Sequence, residues 1–572
     1  MEVDISIGVE YLRNQNYINA ENIFNKLLQK NPSNDGAYRF LAMIYDLKKQ
    51  KIAADYAEKA ISIEPKQPMW LWRILVKNKL TFSMLESTKK NNLNVLAFNK
   101  LLDLRTNKID FIETIDIKKG RGVVGKKLIY NAIIRGAFQF ICPYDGKIVE
   151  TNKSINGQSF YFIDKRGDYI VSFFSNWSQP YYYYQIFFIN NNIVVFDKIS
   201  NSEERRTEES YKSFLQYYAI LLSEMEIKKN ELDNYLANTN SSKVLLKNIE
   251  YQHLGHTIWN GLSVWDEIID KQLYKYADYI NVDSGYLDSE LVHFLELSQI
   301  PSYSSHNEYK ENIFTITLKD DYINSAFAHM ISKRSVKKFN KSNNLKDLER
   351  FMKSFFPIIL FSIRVGSREW IEQKEGIQKI VNYIEGRFKN VGFIFDGMNL
   401  EENKEQNDTH KLIDINKEFE IVSQMQDKKN NIISVGDPIY KSIVYCEASD
   451  FFVAPWGAGL AKYKWICNKK GIIFSSKCVL NEKPDLHIYD SDEYRENAVD
   501  DIFIDANECE NLLYKDFKSF RESTNNIGYF YQNFHCNWKS IAVEIDKEIS
   551  EIMDNKSFAI DMKLKYLRSC HE

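Results

Sequence analysis

The segment Val453–Phe474, "VAPWGAGLAKYKWICNKKGIIF", decides how the rest of the sequence is interpreted. An apolar strand runs into Pro-Trp-Gly-Ala-Gly, an amphipathic stretch with Lys462 and Lys464 follows, and a second apolar strand closes the segment. Glycine allows a backbone to approach another group closely, because it has no Cβ. The turn therefore indicates close contact either with another part of the protein or with a ligand such as phosphate.

Similar apolar strands alternate with helical stretches on both sides of this segment. The strand patterns are KVLLKNI (243–249), ADYINVD (277–283), FFPIILFSIRV (355–365), NVGFIFDG (390–397) and NNIISVGD (430–437). Continuous apolar strands that are separated by helices are typical of parallel sheets. The sequence therefore predicts an α/β protein with two Rossmann-like βα blocks, an N-terminal half at 243–345 and a C-terminal half at 346–515.

Polar residues follow three of the predicted strands in the C-terminal half. In open parallel sheets, ligands bind outside the carboxyl ends of the strands. If these strand ends meet at one edge, they form an anion site that suits a diphosphate. Each feature alone also has a structural explanation, since glycine turns are common and strand-end arginines often form ion pairs. The candidate residues are Arg364, Arg368, Asp396, Gly457, Ala458, Gly459 and Lys462.

The N-terminal half contains "YQHLGHTIWNGLSVWDEI", in which Gly255 and His256 precede a predicted helix. A loop histidine with a pKa near neutrality can serve as a general base for a hydroxyl nucleophile. The alternative is a structural histidine with satisfied hydrogen bonds. His253 and His256 also suggest a metal site, but no nearby carboxylate or thiol in the sequence completes a ligand set. His256 is the candidate base, and His253, Trp259 and Asn260 are the candidate acceptor-side residues.

The N-terminal part of the chain carries an internal repeat. Pro32 and Pro65 close two units of 33 residues, and small residues such as Ala20, Ala57 and Ala60 occupy helix-packing positions. This spacing is that of tetratricopeptide repeats. The further divisions are helical repeats at 1–105, a β-rich module of antiparallel strands at 106–200, a helical linker at 201–242, and C-terminal helices at 516–572.

The composition excludes several function classes. Of 572 residues, 27% are charged and the net charge is −3, so no general attraction to nucleic acid is expected. The basic run KRSVKKFNK (333–341) is predicted to be a solvated loop. Seven dispersed cysteines without a CxxC pair favour reduced thiols over a zinc site or a disulfide framework. The chain shows neither a signal peptide nor a run of about 18 apolar residues, so we expect a cytoplasmic protein without a membrane span.

The quoted motifs support a family resemblance. The segments "GHTIWNGLSVWDEI", "SIRVGSREWIEQKEGIQKIV", "FIFDG" and "APWGAGLAKYKWICNK" resemble a bacterial group of tetratricopeptide-bearing glycosyltransferases with a GT-B-type core. The turn is also similar to a segment of the xylosyltransferase-like group, and the layout is similar to that of protein O-GlcNAc transferases. The resemblance covers about 243–510 and the repeats, but it leaves out the β-rich module.

The resemblance implies a nucleotide-sugar donor, with UDP-linked sugars favoured, bound to the C-terminal half without a metal or a cofactor. The glycine turn would contact the diphosphate, Arg364, Arg368 or Lys462 would neutralise the leaving nucleotide, and Glu447 would hold the ribose. His256 would act across the cleft. The acceptor would be a protein or a surface polysaccharide, and the repeats would bind a partner. The alternative is a non-catalytic assembly or sugar-binding protein with a degenerate core.

Overall fold

The computed structural model describes most of the chain. Two residues of the predicted site, His253 and Ala458, lie outside the described residues. The described ranges are 5–84, 123–176, 179–196, 204–249, 254–282, 286–287, 297–303, 307–320, 322–342, 345–402, 409–457, 459–484, 486–521, 523, 527–553 and 556–571.

The N-terminal segment is helical, and small residues bring its helices together. A Cβ on Gly8 would lie 2.5 Å from the Phe24 ring, and Ala20, Ala57 and Ala60 are fully buried. Side chains of asparagine begin two of the helices by accepting hydrogen bonds from their first turns. The tetratricopeptide assignment stays a prediction. The helices are α1 (Ile5–Arg13), α2 (Tyr17–Lys30), α3 (Asp35–Leu47), α4 (Ala53–Ile63) and α5 (Met69–Lys79).

Strands rich in aromatic and β-branched residues follow. They form a six-stranded sheet in the order β1-β8-β7-β6-β5-β4, in which β1 and β8 are parallel and the other neighbours are antiparallel, and a separate hairpin of β2 and β3. The predicted domain boundaries themselves stay predictions. The elements are β1 (Thr81–Met84), α6 (Val123–Arg135), β2 (Phe138–Ile141), β3 (Ile148–Thr151), β4 (Ser154–Ile155), β5 (Ser159–Phe162), β6 (Tyr169–Asn176), β7 (Gln179–Phe188) and β8 (Ile193–Phe196).

The next segment contains a small parallel sheet in the order β10-β9-β11. It packs against the preceding strands, since Thr317 donates to the Gly157 carbonyl at 2.7 Å. The elements are α7 (Glu204–Ile227), α8 (Lys229–Ala237), β9 (Lys243–Asn248), α9 (Leu254–His256), a π-helical segment (Thr257–Leu262), α10 (Val264–Asp270), β10 (Tyr279–Asn281), β11 (Ile313–Leu318), α11 (Ser325–Ser342) and α12 (Leu345–Ser354).

Two local predictions in this segment are wrong. The basic run 333–341 is not a loop but part of α11, and its Arg334 is fully buried in an ion pair with Glu402. His256 is not in a loop either, because helix α9 already includes it and continues into the π-helical segment. In the first case the ion-pair partner is distant in sequence, and in the second the predicted helix begins before His256 rather than after it.

A larger parallel sheet of six strands dominates the C-terminal half. Its order is β14-β13-β12-β15-β16-β17, and every neighbouring pair is parallel. The prediction of parallel α/β architecture is confirmed. The strands are β12 (Ile358–Ser362), β13 (Gly392–Asp396), β14 (Asn431–Ile433), β15 (Phe451–Pro455), β16 (Gly471–Phe474) and β17 (Ile502–Phe503).

The apolar strands of this sheet are continuous because both faces are buried. Ile358 and Leu360 of β12 lie in one hydrophobic core, whereas Ile359 and Phe361 lie in another. Side chains alternate between the faces, so helices must cover both. The covering and following elements are α13 (Gln373–Arg387), α14 (Thr409–Val422), α15 (Ile439–Ala448), a π-helical segment (Ala461–Ile466), α16 (Lys477–Glu482), α17 (His487–Asp490), α18 (Phe517–Arg521), α19 (Trp538–Ile552) and α20 (Lys556–His571).

A short antiparallel pair consists of β18 (Cys509–Asn511) and β19 (Phe534–Cys536). It contributes to the core on the face of the larger sheet that contains Ile359 and Phe361, which we call the outer core. Among the residues that the structure describes, no helix combines the length and the apolar character that crossing a membrane requires.

Candidate functional site

The crevice of the larger sheet lies between β12 and β15. Numbered from β12, the six strands are arranged in the order 3-2-1-4-5-6, so the chain direction across the sheet reverses between the first and fourth strands. The connections that leave β12 and β15 therefore diverge, and a crevice opens at their carboxyl ends, where ligands bind in open α/β sheets. Arg364 follows β12 and Gly457 follows β15, so the sequence prediction that these residues meet is supported by the strand order.

Arg364 reaches from the end of β12 to the turn after β15. Its Nε donates to the Ser367 carbonyl at 2.7 Å, which holds the guanidinium across its own loop. Its Nη1 lies against Gly457, where a Cβ would be only 2.4 Å away. Gly457 is thus required by another part of the protein. Of the two alternatives for the turn, contact within the protein therefore explains Gly457.

Arg368 is held between two aromatic rings. Its Cζ lies 4.8 Å from the ring centroid of Trp456 and 4.8 Å from that of Tyr531. The backbone of Arg368 adopts φ of +60°, a left-handed conformation that is costly for a residue with a long side chain. Such local strain is found at sites where the surroundings hold a side chain in position for function.

Neither arginine has a counter-ion among the residues that the structure describes. Within the part of the chain that the structure describes, no carboxylate forms an ion pair with Arg364 or Arg368, and the Arg368 Nε is buried without a hydrogen-bond acceptor. Burial lowers the pKa of Arg364 to about 10, and the adjacent charge of Arg368 adds to the effect. Burial also lowers the pKa of Arg368. The charge of Glu418 acts on Arg364 without an ion pair between the two. Two adjacent guanidinium groups without a paired carboxylate among the described residues form a site that an anionic ligand would stabilise.

Gly459 differs from its neighbour in the turn. A Cβ on Gly459 would meet Ser362 Oγ at 3.6 Å and the Tyr463 ring at 3.9 Å, which are ordinary van der Waals contacts. Packing within the protein therefore leaves room for a side chain at 459. Among the described residues, no oxygen accepts a hydrogen bond from the Gly457 or Gly459 amide. Both amides follow β15 at the crevice, and Gly457 lies against Arg364.

Asp396 and Lys462 serve a different purpose from the predicted contact with a donor. They form a buried ion pair with a 2.6 Å Oδ2–Nζ distance, and Ser442 and Tyr463 each donate to the same carboxylate oxygen at 2.6 Å. Lys462 Nζ also donates to Asn399 Oδ1 at 2.5 Å. This network connects the end of β13 to the π-helical segment below the crevice, so neither charge is presented to a ligand.

Glu447 lies away from the crevice. It is at the end of α15, ahead of β15, and so at the edge of the sheet opposite to the strand ends that carry the arginines. Its Oε1 accepts a hydrogen bond from Ser332 at 2.7 Å, and Tyr566 is 3.4 Å away. Glu447 anchors α11 and α20, and it is not part of the candidate donor site.

On the smaller sheet's side, His256 is oriented by Asn260. The Asn260 Nδ2 donates to the Asp320 carbonyl at 3.1 Å, so its Oδ1 faces His256 Nδ1 at 2.7 Å. An amide oxygen only accepts hydrogen bonds, so Nδ1 carries the proton and Nε2 of the neutral ring carries the lone pair. Asn260 is thus a positioning residue for a half-buried histidine.

Trp259 connects this helix to the segment after the glycine turn. Its ring lies 5.3 Å from that of Trp465 and 5.7 Å from that of Tyr494. Trp465 belongs to the π-helical segment that begins just after Gly459. Trp259 is therefore a packing residue that brings His256 and the crevice of the larger sheet to the same region of the molecule.

Sequence reasoning missed three contributors to the crevice. Trp456 precedes the glycine turn, and only the structure shows that its face covers Arg368. Tyr531, about half exposed, comes from a segment far along the chain that carries no motif. Glu418 on α14 lies against Gly397 and accepts a hydrogen bond from the Met398 amide at 2.6 Å, and burial raises its pKa to about 7.

No family model and no curated protein matches the sequence. Solved structures that overlap the fold include a glycosyl transferase family 9 protein from Veillonella parvula DSM 2008, with 12% identity over 54% of this chain and 96% of that chain and a TM-score of 0.27. An α,α-trehalose 6-phosphate synthase from Burkholderia multivorans has 8% identity over 66% and 86% of the two chains, with a TM-score of 0.24.

A UDP-GlcNAc 2-epimerase from Methanocaldococcus jannaschii, solved with UDP-GlcNAc and UDP, has 13% identity over 59% and 81% of the two chains and a TM-score of 0.21. These neighbours include glycosyltransferases, but overlaps of this size establish neither a common fold nor a common activity.

Proposed function

We propose that this protein is a metal-independent glycosyltransferase that transfers a sugar from a nucleotide-sugar donor to a protein or surface-polysaccharide acceptor. The diphosphate of the donor binds in the crevice between β12 and β15. UDP-linked sugars are the first donors to test. The helical repeats and the strands of the N-terminal part bind the acceptor or a partner protein.

One observation carries the proposal: Arg364 and Arg368 lie together at the strand reversal of a parallel sheet without a carboxylate partner among the described residues. Two like charges that are partly removed from water destabilise the folded protein unless an anion binds them. A scaffold has no need of such a pair. A diphosphate supplies two negative groups with the spacing and the acceptor oxygens that two guanidinium groups and nearby amides bind well.

The acceptor side supports catalysis as well as binding. Asn260 keeps the Nδ1 proton of His256 in place, so Nε2 is the atom that accepts a proton from an acceptor hydroxyl. As the hydroxyl oxygen attacks the anomeric carbon, its proton passes to Nε2 and the bond from that carbon to the nucleotide diphosphate breaks. The two arginines stabilise the negative charge that develops on the leaving diphosphate.

The proposal is tested by thermal unfolding of the whole protein with UDP, GDP, CMP, ADP and their sugars. A ligand that binds only the folded state raises the unfolding midpoint by mass action. We expect one nucleotide and its sugar to raise the midpoint, and Arg364→Ala to abolish the shift. Release of the free nucleotide from that sugar then distinguishes turnover from sugar binding alone.

A folded protein whose midpoint responds to none of these nucleotides would overturn the proposal. In that case the non-catalytic reading, in which the repeats bind a partner and the two sheets are a scaffold, would account for the data better. Arg387→Ala serves as the matched control, because this exposed arginine pairs with Asp546 and lies outside the crevice.

A further inference from the structure

Cys509 and Cys536 lie next to each other although they are far apart in the sequence. All seven cysteines are unbonded, and the Sγ atoms of this pair are 3.1 Å apart. The two residues face each other across the antiparallel strands β18 and β19. Both side chains are buried in the outer core of the larger sheet.

The strand register places this pair where a disulfide fits. Asn537 N donates to Glu508 O at 2.9 Å, and Leu512 N donates to Asn533 O at 3.0 Å. Hydrogen-bonded and non-hydrogen-bonded pairs alternate along an antiparallel ladder, so Cys509 and Cys536 form a non-hydrogen-bonded pair, with Cα atoms about 4.5 Å apart. That separation is within the range that disulfides span without backbone movement, about 4.4–6.8 Å.

A cavity lies beside one of the two cysteines. The cavity has a volume of about 620 Å³, and its lining includes Cys536, Glu372, Lys379 and Trp538. Cys509 is not part of the lining and lies behind Cys536. A small oxidant therefore meets Cys536 first, and Cys509 is in position to react next.

We propose that Cys509 and Cys536 form a reversible disulfide by exchange with a small disulfide of the oxidised-glutathione class. The Cys536 thiolate attacks one sulfur of the oxidant, which forms a mixed disulfide and releases one glutathione thiolate. The Cys509 thiolate then attacks the Cys536 sulfur and releases the second. Two thiol protons go to solvent or to the released thiolates, and two electrons reduce the oxidant to two thiols.

The exchange is slow at neutral pH. The hydrogen bond with Cys509, together with burial, raises the pKa of the Cys536 thiol well above its ordinary value. The thiolate is the reacting form, so only a small fraction of the protein reacts at any moment. We therefore expect the linked pair to accumulate slowly, which overnight incubation allows.

The disulfide would link β18 to β19, the strand that holds the segment after Arg368 by hydrogen bonds. Phe534 of β19 donates to Glu369 O at 3.0 Å and accepts from Ile371 N at 3.0 Å, and Trp370 Nε1 donates to the Cys536 carbonyl at 3.1 Å. The segment held in this way follows Arg368 directly. The thiol chemistry of the pair does not depend on nucleotide binding, so it can be tested whether or not the proposed activity is found.

The test is thiol mapping on the whole protein. The protein is incubated overnight in glutathione mixtures with an increasing oxidised share, blocked with an alkylating agent, digested without reduction and examined by mass spectrometry. We expect a linked pair of peptides containing Cys509 and Cys536, the loss of two alkylated thiols, and recovery of both with dithiothreitol. Closing a loop of this length also raises the unfolding midpoint by a few degrees.

Three variants make the result decisive. Cys509→Ser, or Cys509→Ala if the first fails to fold, should lose the link and keep glutathione on Cys536. Cys478→Ser, a buried cysteine outside the pair, should keep the link and the rise in midpoint. Two alkylatable thiols at 509 and 536 in every mixture, a mixed disulfide that persists in the unmodified protein, or a link between other cysteines would each overturn the proposal.

Discussion

Two sets of cations, one beside each parallel sheet, differ in whether a carboxylate pairs with them. Beside the smaller sheet, Lys126 is almost fully buried and pairs with Asp320 at 2.5 Å and with Glu267 at 3.5 Å. At the edge of the larger sheet, Arg364 and Arg368 have no carboxylate partner among the described residues. A buried charge that has lost its partner destabilises the folded state far more than a paired one does. Under the proposed function, the first set of charges belongs to the folded core and the second set binds the donor.

The largest effect that we expect is on turnover, from His256→Ala. Loss of a general base lowers the rate about 10²–10⁴-fold, while donor affinity changes little. Release of nucleotide from the donor sugar, measured at saturating donor, gives the rate. His329→Ala is the matched control, since this histidine packs against Tyr566 away from the crevice. A parallel loss of folding in His256→Ala would show a structural histidine instead.

Lys126→Met tests the folding side of the comparison. The substitution keeps the length of the side chain but leaves Asp320 and Glu267 buried with no cation between them, which costs about 3–5 kcal/mol. We expect a lower urea midpoint by circular dichroism and unchanged nucleotide affinity at temperatures where the variant is folded. Lys147→Met, at an exposed lysine, should leave the midpoint unchanged.

Arg364→Ala and Arg368→Ala test the ligand side. Each should weaken nucleotide binding by about 1.5–3 kcal/mol, because each removes a charge-assisted bond to phosphate. Stability without ligand should be unchanged or higher, since one of two mutually repelling charges is gone. Titration calorimetry measures the affinity, and unfolding without nucleotide measures the stability. Lower stability with unchanged affinity would reverse the assignment of the two sets of charges.

Gly459→Ala asks whether phosphate lies against the backbone of the turn. The protein has room for the added methyl group, so the unfolding midpoint should stay the same. A methyl group that displaces a phosphate oxygen should lower nucleotide affinity by about tenfold, roughly one lost hydrogen bond. Unchanged affinity would show that the turn serves only the contact with Arg364. Gly457→Ala provides the contrast, because its Cβ would displace the Arg364 side chain.

The last prediction concerns the pH dependence of stability. Burial holds the pKa of Glu418 at about 7, above the ordinary value of a glutamate. The folded state therefore binds the proton more tightly than the unfolded state, and stability falls as pH rises from the ordinary value toward and through about 7. Glu418→Gln, which resembles the protonated form, should raise the unfolding midpoint at pH 8 and leave it almost unchanged at pH 5.

Much of the larger sheet could be predicted because its signals are local. Each strand is a short apolar run such as that around Leu360, and the helices between them have their own periodicity. The loop prediction for the basic run around Arg334 is wrong for the opposite reason. Its helix depends on Glu402, which is distant in sequence, and no local pattern reports an ion pair with a partner that far away.

Some residues of the candidate site could also be placed from the sequence, whereas the partners of others could not. Arg364, Arg368 and Gly457 could be placed at one edge because the two arginines are in the loop after β12 and Gly457 is in the turn after β15, and parallel strands end at a common edge. Lys462 and Glu447 carry equally suitable chemistry in the sequence, but the structure assigns them to buried pairs with Asp396 and Ser332. Charge type alone does not distinguish a cation that binds a ligand from one that neutralises an internal carboxylate.

The amino-acid sequence by itself determined the α/β class, the succession of strands in the larger sheet and the arginine and glycine residues at its edge, because these follow from spacing along the chain. Only the tertiary structure decided which charges are paired, that Tyr531 covers Arg368, that Asn260 orients His256, and that Cys509 meets Cys536. The physical reason is that pairing, stacking and thiol contact require atoms within a few ångströms of each other. Folding brings such atoms together from segments that are distant in the sequence, and no local pattern in either segment indicates the other.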